Sequence, residues 1–441
     1  MYLNGKEPSF HRQRSKSNPY YVIVLLVFVL VGLFVIRAFS TGEIQQVGMP
    51  TAIPTRTINS YTEEGITFFI AGDLENAMNA YNKALEIAPN NAEIWAEVAR
   101  IQAYSSSTMT TDEQRLNRLN EALESANKAV EIDPDNSYAR GIRAFVLDWY
   151  AGSVLDEETR TASLLEAERE AIAALTLDSG NTLALAYYAE IQVDQALILQ
   201  AQQNIEEALL REEEIMDVHR VHGYVLESLG YYSDAINAYK RAIELNPNMT
   251  FLYIRIGVNY RQLTKYDQAL EYFAKAAEIN EANGVEDPLP YLAIGNTYSR
   301  IGEFFIAAVN VERVLDIDPT NPNTYGTLGV IYFRARNYES AIPALQCATY
   351  GCDAETSCEV RRNCDFETDP EIVIPPTQLT DSTVIYYYTY GSVLAGMHQP
   401  GREYCEEAMD VLADVRAKYN NEAVIMSIVS ESENICRGFG Y

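Results

Sequence analysis

The chain has 441 residues, enough for two or three ordinary domains. Its formal net charge is -29, from 62 acidic and 33 basic side chains. A negative field of this size repels a phosphate backbone, so the composition of this acidic protein argues against nucleic acid as a partner.

The chain begins with a short basic tail, residues 1–19, which is followed by an apolar stretch. The tail carries four basic side chains against one acid, Glu7. Residues 20–39 contain one charge, Arg37, and reach the ~20 residues needed to cross a ~30 Å hydrocarbon core. Because positive flanks stay inside, we expect a single-pass transmembrane signal-anchor helix with a cytoplasmic N-terminus and the rest of the chain extracytoplasmic.

A cleaved signal peptide is the alternative interpretation of this stretch, with Ala38 and Ser40 as a weak cleavage site. The apolar run is longer than the roughly 7–15 residues of a signal-peptide core, and Arg37 interrupts the approach to the site, so the anchor is favoured. Residues 40–57 contain Pro50 and Pro54 and show no helical periodicity, which predicts a flexible linker.

From residue 58 the sequence repeats itself with a period of 34 residues. Small residues recur at the eighth, fifteenth, twentieth and twenty-seventh positions, with tyrosine at the twenty-fourth and proline near the end. Two units that share all of these are 58–91 and 216–249, through Gly65 and Gly223, Gly72 and Gly230, Ala77 and Ala235, Tyr81 and Tyr239, Ala84 and Ala242, and Pro89 and Pro247. Small residues let two antiparallel helices approach closely, and the proline ends the second helix.

This pattern resembles the tetratricopeptide repeat, a helix–turn–helix unit with small residues at corresponding positions. The resemblance implies an all-α fold, a tetratricopeptide-type α-solenoid in which the units stack into a right-handed superhelix, preceded here by one transmembrane helix. Proteins of this kind are mostly scaffolds that hold a peptide or a partner protein in a concave groove. The resemblance implies no catalytic residue.

About eight units are expected over residues 58–346. Within residues 92–181 the spacing grows to 45 residues, which is 34 plus 11. Eleven residues make almost three helical turns, so longer second helices keep their buried faces in phase. Thr111 begins a capping box, and Asp156 is placed to start a helix in the same way. Residues 347–376 are predicted to be a Cys-rich excursion, and residues 377–441 a degenerate repeat with a C-terminal capping helix.

All six cysteines of the chain follow residue 346: Cys347, Cys352, Cys358, Cys364, Cys405 and Cys436. No C-x2-C pair occurs among them and no histidine lies within thirty residues of the first four, so a metal site or a redox centre is disfavoured. An even number in an extracytoplasmic segment favours three disulfides, tying the excursion to itself and to the last helices. Six cysteines allow fifteen pairings, and free thiols remain an alternative.

No motif of a known catalytic centre or nucleotide site is present, so we expect no enzyme activity, no cofactor and no metal. His219 and His222 lie three residues apart on one helix, a spacing that two metal ligands can share. Other units place Tyr61, Trp95 and Tyr253 at such positions, so core packing is the simpler interpretation.

One pattern points to a ligand. In tetratricopeptide repeats the inner positions of the first helix face the groove, and four consecutive units here place an arginine among them. The predicted partner-binding residues are Arg220, Tyr224, Arg261, Asn296, Arg300, Phe333 and Arg334. Guanidinium groups pair bidentately with carboxylates, which favours an acidic or C-terminal-carboxylate peptide. The alternative is that these basic residues are simply solvated. The first four units offer a more apolar lining: Phe69, Ile70, Tyr104, Phe145 and Trp149.

The sequence thus favours a membrane-anchored tetratricopeptide scaffold that binds a protein or peptide on the extracytoplasmic side without catalysis. An accessory subunit or unrecognised enzyme of surface glycan or envelope metabolism is the alternative, although no catalytic constellation supports it. The reverse topology, with the repeats in the cytoplasm, conflicts with the basic tail and with the even cysteine count.

Overall fold

A computed structural model describes residues 18–40 and 56–441. These residues form 21 α-helices and two isolated β-bridges. They fall into two compact units that divide after Arg56. The all-α solenoid predicted from the repeat is confirmed. Most of the predicted basic tail and of the linker, residues 1–17 and 41–55, lies outside the described residues.

The first unit contains one helix, α1 (Pro19–Ser40). Residues Pro19–Arg37 have a mean hydropathy of 2.8, and none of this stretch is buried inside the protein. At 1.5 Å per residue, 22 helical residues extend about 33 Å, close to the thickness of a bilayer core. The helix is therefore a candidate membrane span, and a signal sequence would pass the same test of length and composition.

The second unit begins with eight consecutive antiparallel helix pairs, starting where the repeat starts in the sequence. The pairs are α2 (Ile58–Ile70) with α3 (Leu74–Ile87), α4 (Ala92–Ser106) with α5 (Asp112–Ile132), α6 (Ser137–Ser153) with α7 (Glu157–Leu177), α8 (Thr182–Asp194) with α9 (Ile198–Arg211), α10 (Met216–Ser228) with α11 (Tyr232–Leu245), α12 (Thr250–Gln262) with α13 (Tyr266–Ala282), α14 (Leu289–Ile301) with α15 (Phe304–Ile317), and α16 (Pro322–Arg334) with α17 (Tyr338–Thr349). Each pair buries its apolar face against its neighbours, as stacked repeats must.

The repeated glycine of the first helix is required by close packing inside each pair. A Cβ built on Gly223 would lie 2.7 Å from the Tyr239 ring, and one built on Gly257 would lie 2.4 Å from the Phe273 ring. Both distances are far below van der Waals contact. In these two repeats the eighth position has no side chain because the aromatic residue of the second helix occupies its space, whereas three other repeats have alanine there.

The long second helices α5 and α7 have 21 residues each. Thr111 caps α5 in the predicted capping box, in which its hydroxyl accepts from the backbone N–H of Gln114 and the Gln114 side chain accepts from the backbone N–H of Thr111. Asp156 caps α7 by accepting from the backbone N–H of Thr159. Both predicted helix starts are confirmed, because capping depends on local sequence alone.

The superhelix turns far enough to bring the loop between the fifth and sixth pairs back against the first pair. The Asn248 side-chain amide donates to the backbone oxygen of Ala71 at 2.7 Å, across a sequence separation of 177 residues. On the axis of this turn, the rings of Tyr104 and Phe251 stack with their centroids 5.7 Å apart. The Thr110 hydroxyl donates to the backbone oxygen of Glu286 at 2.9 Å, which joins the start of α5 to the loop before α14. The superhelix thus closes on itself.

A buried carboxyl group lies beside this closing contact. Asp287 accepts from the backbone N–H of Leu289 and from the side-chain amide of Asn280, both at 2.9 Å. Burial outweighs these hydrogen bonds and raises the pKa of Asp287 to about 6.

We expect the protein to lose stability relative to the Asp287→Asn variant as the pH rises from 4 to 7. The carboxyl of Asp287 binds a proton more tightly in the folded state, so its contribution is fully present below its unfolded pKa and is lost as the pH passes about 6. The difference in free energy of unfolding between the wild type and the Asp287→Asn variant should change by about 2–3 kcal/mol between pH 4 and pH 7. Urea denaturation of both proteins at several pH values measures it, and parallel pH profiles would contradict it.

After α17 the chain forms the Cys-rich excursion, which contains the short helix α18 (Ala354–Val360). Three further helices follow: α19 (Val384–Met397), α20 (Cys405–Tyr419) and α21 (Ala423–Gly438). Helices α19 and α20 make a ninth pair in which Gly391 faces Leu412, and α21 packs against both. The excursion was predicted from residue 347, whereas α17 continues to Thr349.

All six cysteines are paired. Cys347 is bonded to Cys352, Cys358 to Cys364, and Cys405 to Cys436. The prediction that disulfides tie the excursion to the last helices is wrong, since the third bridge joins α20 to α21. The excursion is closed on itself by an isolated β-bridge between Cys352 and Ile374. It is attached to α17 by the Cys347–Cys352 disulfide and by the backbone N–H of Thr377, which donates to the backbone oxygen of Ala348.

Candidate partner-binding surfaces

The predicted apolar lining of the first four repeats is filled by the protein itself. Phe69, Tyr104 and Phe145 are buried. Tyr104 packs against Phe145 with ring centroids 5.2 Å apart, and Trp149 meets Phe251 edge-on at 6.0 Å. The prediction of an open apolar groove is therefore wrong for these residues. The facing first helices pack against one another over most of the closed turn, while Ile70 stays exposed and Trp149 is half-buried.

Arg220, the first arginine of the predicted series, belongs to this core. It is 4% exposed. Its guanidinium pairs bidentately with Glu190, with Nη2 2.6 Å from Oε2, and its Nε donates to the Tyr104 hydroxyl at 3.1 Å. Its carboxylate ligand is thus internal, and the expectation that it faces a partner is corrected.

Asp217 is the centre of the same buried network. It is fully buried and accepts from Arg100 and from the Tyr187 hydroxyl, each at 2.7 Å, and from the Tyr104 hydroxyl. Burial opposes the charge on Asp217, but Arg100 and Arg220 outweigh it and lower the pKa of the carboxyl. The network joins α4, α8 and α10 across the superhelix axis.

The sequence analysis missed Asp217, Glu190 and Arg100 as members of this network. Asp217 occupies the second position of its repeat, and Glu190 and Arg100 each occupy the ninth. These are inner positions of the first helix, so the positions used to predict the arginines also contain the side chains that pair with them. A search for charged side chains at these positions would have found all three.

Tyr224, the second predicted residue, is half-buried, and its side chain contacts other residues of the protein. Its hydroxyl donates to Asp194, and the guanidinium of Arg255 lies over its ring, 5.1 Å from the centroid. Arg255 in turn pairs with Glu227, Nε to Oε2 3.2 Å. Tyr224 therefore lies at the rim of the closed core.

The remaining three arginines lie in a row on the first helices of the sixth to eighth repeats. Arg300 and Arg334 are exposed and Arg261 is half-buried. Arg334 donates to the Ser299 hydroxyl at 3.4 Å, next to Arg300, and burial together with the charge of Arg300 lowers the pKa of Arg261. Within residues 18–40 and 56–441, no carboxylate lies within 4.0 Å of these three guanidinium groups. We call Arg261, Arg300 and Arg334 the arginine row.

The other two predicted residues flank this row. Asn296 lies one turn before Arg300 on α14 and is half-buried. Phe333 is half-buried and packs against Tyr338, with ring centroids 5.9 Å apart. The structure thus brings five of the seven predicted residues onto three neighbouring helices and places the other two in or beside the core.

The two histidines are explained by packing. His219 is buried, with Nε2 2.7 Å from the backbone oxygen of Glu213. Burial and the neighbouring His219 lower the pKa of His222, which favours the neutral imidazole. In the described ranges, no group of three or more His, Cys, Asp or Glu side chains has an arrangement that holds a metal ion.

Sequence families described as tetratricopeptide repeats match three stretches: residues 65–102, 114–136 and 220–283. Among curated proteins, the chain is 29% identical over 124 residues to the BBSome complex member BBS4 of Bos taurus, covering 27% of this chain and 22% of that protein. It is 26% identical over 111 residues to anaphase-promoting complex subunit 3 of Schizosaccharomyces pombe, covering 25% and 16%. The chain thus spans about a fifth of the length of these relatives.

Two solved structures resemble the fold. One is a tetratricopeptide repeat protein from Parabacteroides merdae, with 17% identity, a TM-score of 0.38, and coverage of 62% of this chain and 98% of that one. The other is the tetratricopeptide protein TTC0263 of Thermus thermophilus, with 17% identity, a TM-score of 0.38, and coverage of 46% and 98%.

The three matched stretches all lie within the part of the chain that forms the repeated helix pairs. The chain is a tetratricopeptide-repeat protein, an α-solenoid scaffold for protein–protein interaction.

Proposed function

We propose that the chain is anchored in a membrane through α1 and binds an acidic or C-terminal-carboxylate segment of a partner protein on the arginine row, on the extracytoplasmic side and without catalysis. The observation that carries this proposal is the contrast among the four arginines. Arg220 has its carboxylate inside the protein, whereas the arginine row has none within 4.0 Å in the described part of the chain.

Charge supports the same proposal. In a protein of net charge -29, most arginines can find an internal acid, yet three adjacent guanidinium groups remain without one. Placing like charges together costs free energy, and burial together with the nearby charge of Arg300 lowers the pKa of Arg261. A bound carboxylate removes that repulsion and adds charge-assisted hydrogen bonds of about 1.5–3 kcal/mol each.

The location outside the cytoplasm is supported by two independent features. Basic residues precede the apolar helix, an arrangement that retains the N-terminus in the cytoplasm. All six cysteines are bonded in pairs, and disulfides persist in oxidising compartments.

We expect the Arg261→Ala/Arg300→Ala/Arg334→Ala variant to bind acidic peptides at least ~30-fold more weakly than the wild type, since about 2 kcal/mol or more of charge-assisted hydrogen bonding is lost. Fluorescence anisotropy with a labelled Glu/Asp-rich peptide measures the affinity, and a C-terminally amidated copy tests whether the terminal carboxylate contributes. The full-length chain in non-ionic detergent serves as the receptor.

The matched control is Arg313→Ala/Arg402→Ala/Arg437→Ala, which removes three exposed arginines that pair with glutamates elsewhere. It changes the net charge by the same amount as the arginine-row variant. Its affinity for the acidic peptide should stay within about threefold of the wild-type value, since surface ion pairs contribute little. Equal weakening in both triple variants would show only a general charge effect and would contradict a site on the arginine row.

A further inference from the structure

A cavity of about 300 Å³ opens at the edge of the closed core, near the C-terminal ends of α6 and α8. Its acidic wall contains Asp148, Glu190 and Asp194, and its aromatic wall contains Trp149, Tyr224 and Phe251. We call it the acidic cavity. Its volume suits one small group or a single side chain and is at the lower limit for ligand sites.

The charges around the cavity do not cancel. Glu190 is neutralised by Arg220, and Arg255, which also lines the cavity, is neutralised by Glu227. This leaves the carboxyl groups of Asp148 and Asp194, which both line the cavity. Burial and the charges of Asp194 and Glu190 raise the pKa of Asp148 well above its usual range.

Asp148 also retains an unsatisfied atom. The residue is 2% exposed, and its Oδ1 has no hydrogen-bond partner among the described residues. A buried polar atom without a partner costs about 1–3 kcal/mol, so proteins rarely leave one unless something else binds there. A hydrogen-bond donor that enters the cavity would satisfy it.

Two further features favour a cation as this donor. Asp148 and Asp194 lie in the last two turns of α6 and α8, where the helix dipoles contribute negative potential. The faces of aromatic rings attract cations, and the Arg220 guanidinium already lies 5.6 Å from the Trp149 centroid. Since no three His, Cys, Asp or Glu side chains in the described part of the chain are arranged to hold a metal ion, an organic cation fits better.

We propose that the acidic cavity binds a primary ammonium group on an aliphatic stem, held by Asp148 and Asp194 with the stem against Trp149 and Phe251. The N–H groups of the ammonium donate to the carboxyl oxygens, Oδ1 of Asp148 among them. A lysine side chain of a partner and a free alkylamine present the same chemistry. This site is separate from the arginine row and does not depend on it.

The chain has two tryptophans, so Trp95→Phe leaves Trp149 as a reporter inside the cavity. We would titrate this full-length variant, in non-ionic detergent, with n-butylamine and with 1-butanol as the neutral analogue. A saturable change in Trp149 emission is expected with the amine alone. Adding Asp148→Asn/Asp194→Asn should weaken amine binding by about 10- to 100-fold, because hydrogen bonds to charged groups are lost.

Controls separate a lost site from a lost fold. Asp267→Asn, at an exposed position on α13, should bind as the parent does. If the double variant melts early, Asp194→Asn alone serves instead, because Asp194 is only half-buried. The triple variant of the arginine row should bind n-butylamine normally, which distinguishes failure of this proposal from failure of the proposed function.

A second titration with N-acetyl-lysine-methylamide and its Nε-acetylated form identifies the source of the amine. Binding of the lysine derivative, abolished by acetylation, supports capture of a partner's lysine. Binding of n-butylamine alone supports a free amine as the ligand. No response to either amine, or equal affinity in the Asp148→Asn/Asp194→Asn variant, would overturn the proposal.

Discussion

The Asp217→Ala variant is expected to lose about 3–5 kcal/mol of its free energy of unfolding, the usual cost of breaking a buried ion pair. Asp217 is fully buried, and its removal leaves the Arg100 guanidinium and the hydroxyl groups of Tyr104 and Tyr187 without their acceptor. These three donors come from two first helices that meet α10 on the superhelix axis. The variant should therefore loosen the closed turn rather than a single repeat.

Urea denaturation followed by circular dichroism measures the loss in free energy. Trp149 fluorescence reports unfolding in the immediate surroundings of the network, since the Trp149 ring centroid is 5.3 Å from that of Tyr104. Asp267→Ala, at an exposed position, is the matched control and should change stability by less than about 0.5 kcal/mol. A loss below about 1 kcal/mol in Asp217→Ala would show that the network does not hold the turn closed.

The second large effect is expected from the disulfide that closes the C-terminal end. Cys405 and Cys436 are separated by 31 residues, and both are fully buried. Replacing both with alanine should destabilise the protein by about 3–4 kcal/mol, because a cross-link over a loop of this length restricts the unfolded chain. The unfolding midpoint of α19, α20 and α21 should fall accordingly.

Removal of the Cys347–Cys352 bridge is the comparison, since it closes only five residues and should cost about 2 kcal/mol. Dithiothreitol should lower the midpoint of the wild type by more than that of the Cys405→Ala/Cys436→Ala variant. Because most of the cysteines are buried, the protein is denatured before labelling, and the six thiols should then react with maleimide only after reduction. Labelling of the denatured, unreduced protein would contradict the bridges.

Sequence alone determined the repeat and its helix pairs. The contact between Gly223 and Tyr239 lies within one repeat, so a pattern of small and aromatic residues encodes it directly. The capping box at Thr111 is local in the same way. The number and position of the cysteines indicated bridges in the last part of the chain, although not which cysteines pair.

Tertiary structure decided which inner side chains are available to a partner. Arg220 and Arg300 occupy inner positions in the same register, yet the first pairs with Glu190 inside the closed turn and the second is exposed. The contact between Asn248 and Ala71 spans 177 residues and depends on the total rotation accumulated over the repeats between them. A 34-residue pattern determines the structure of each repeat but not this total rotation. Only the assembled superhelix therefore distinguishes buried from exposed inner side chains.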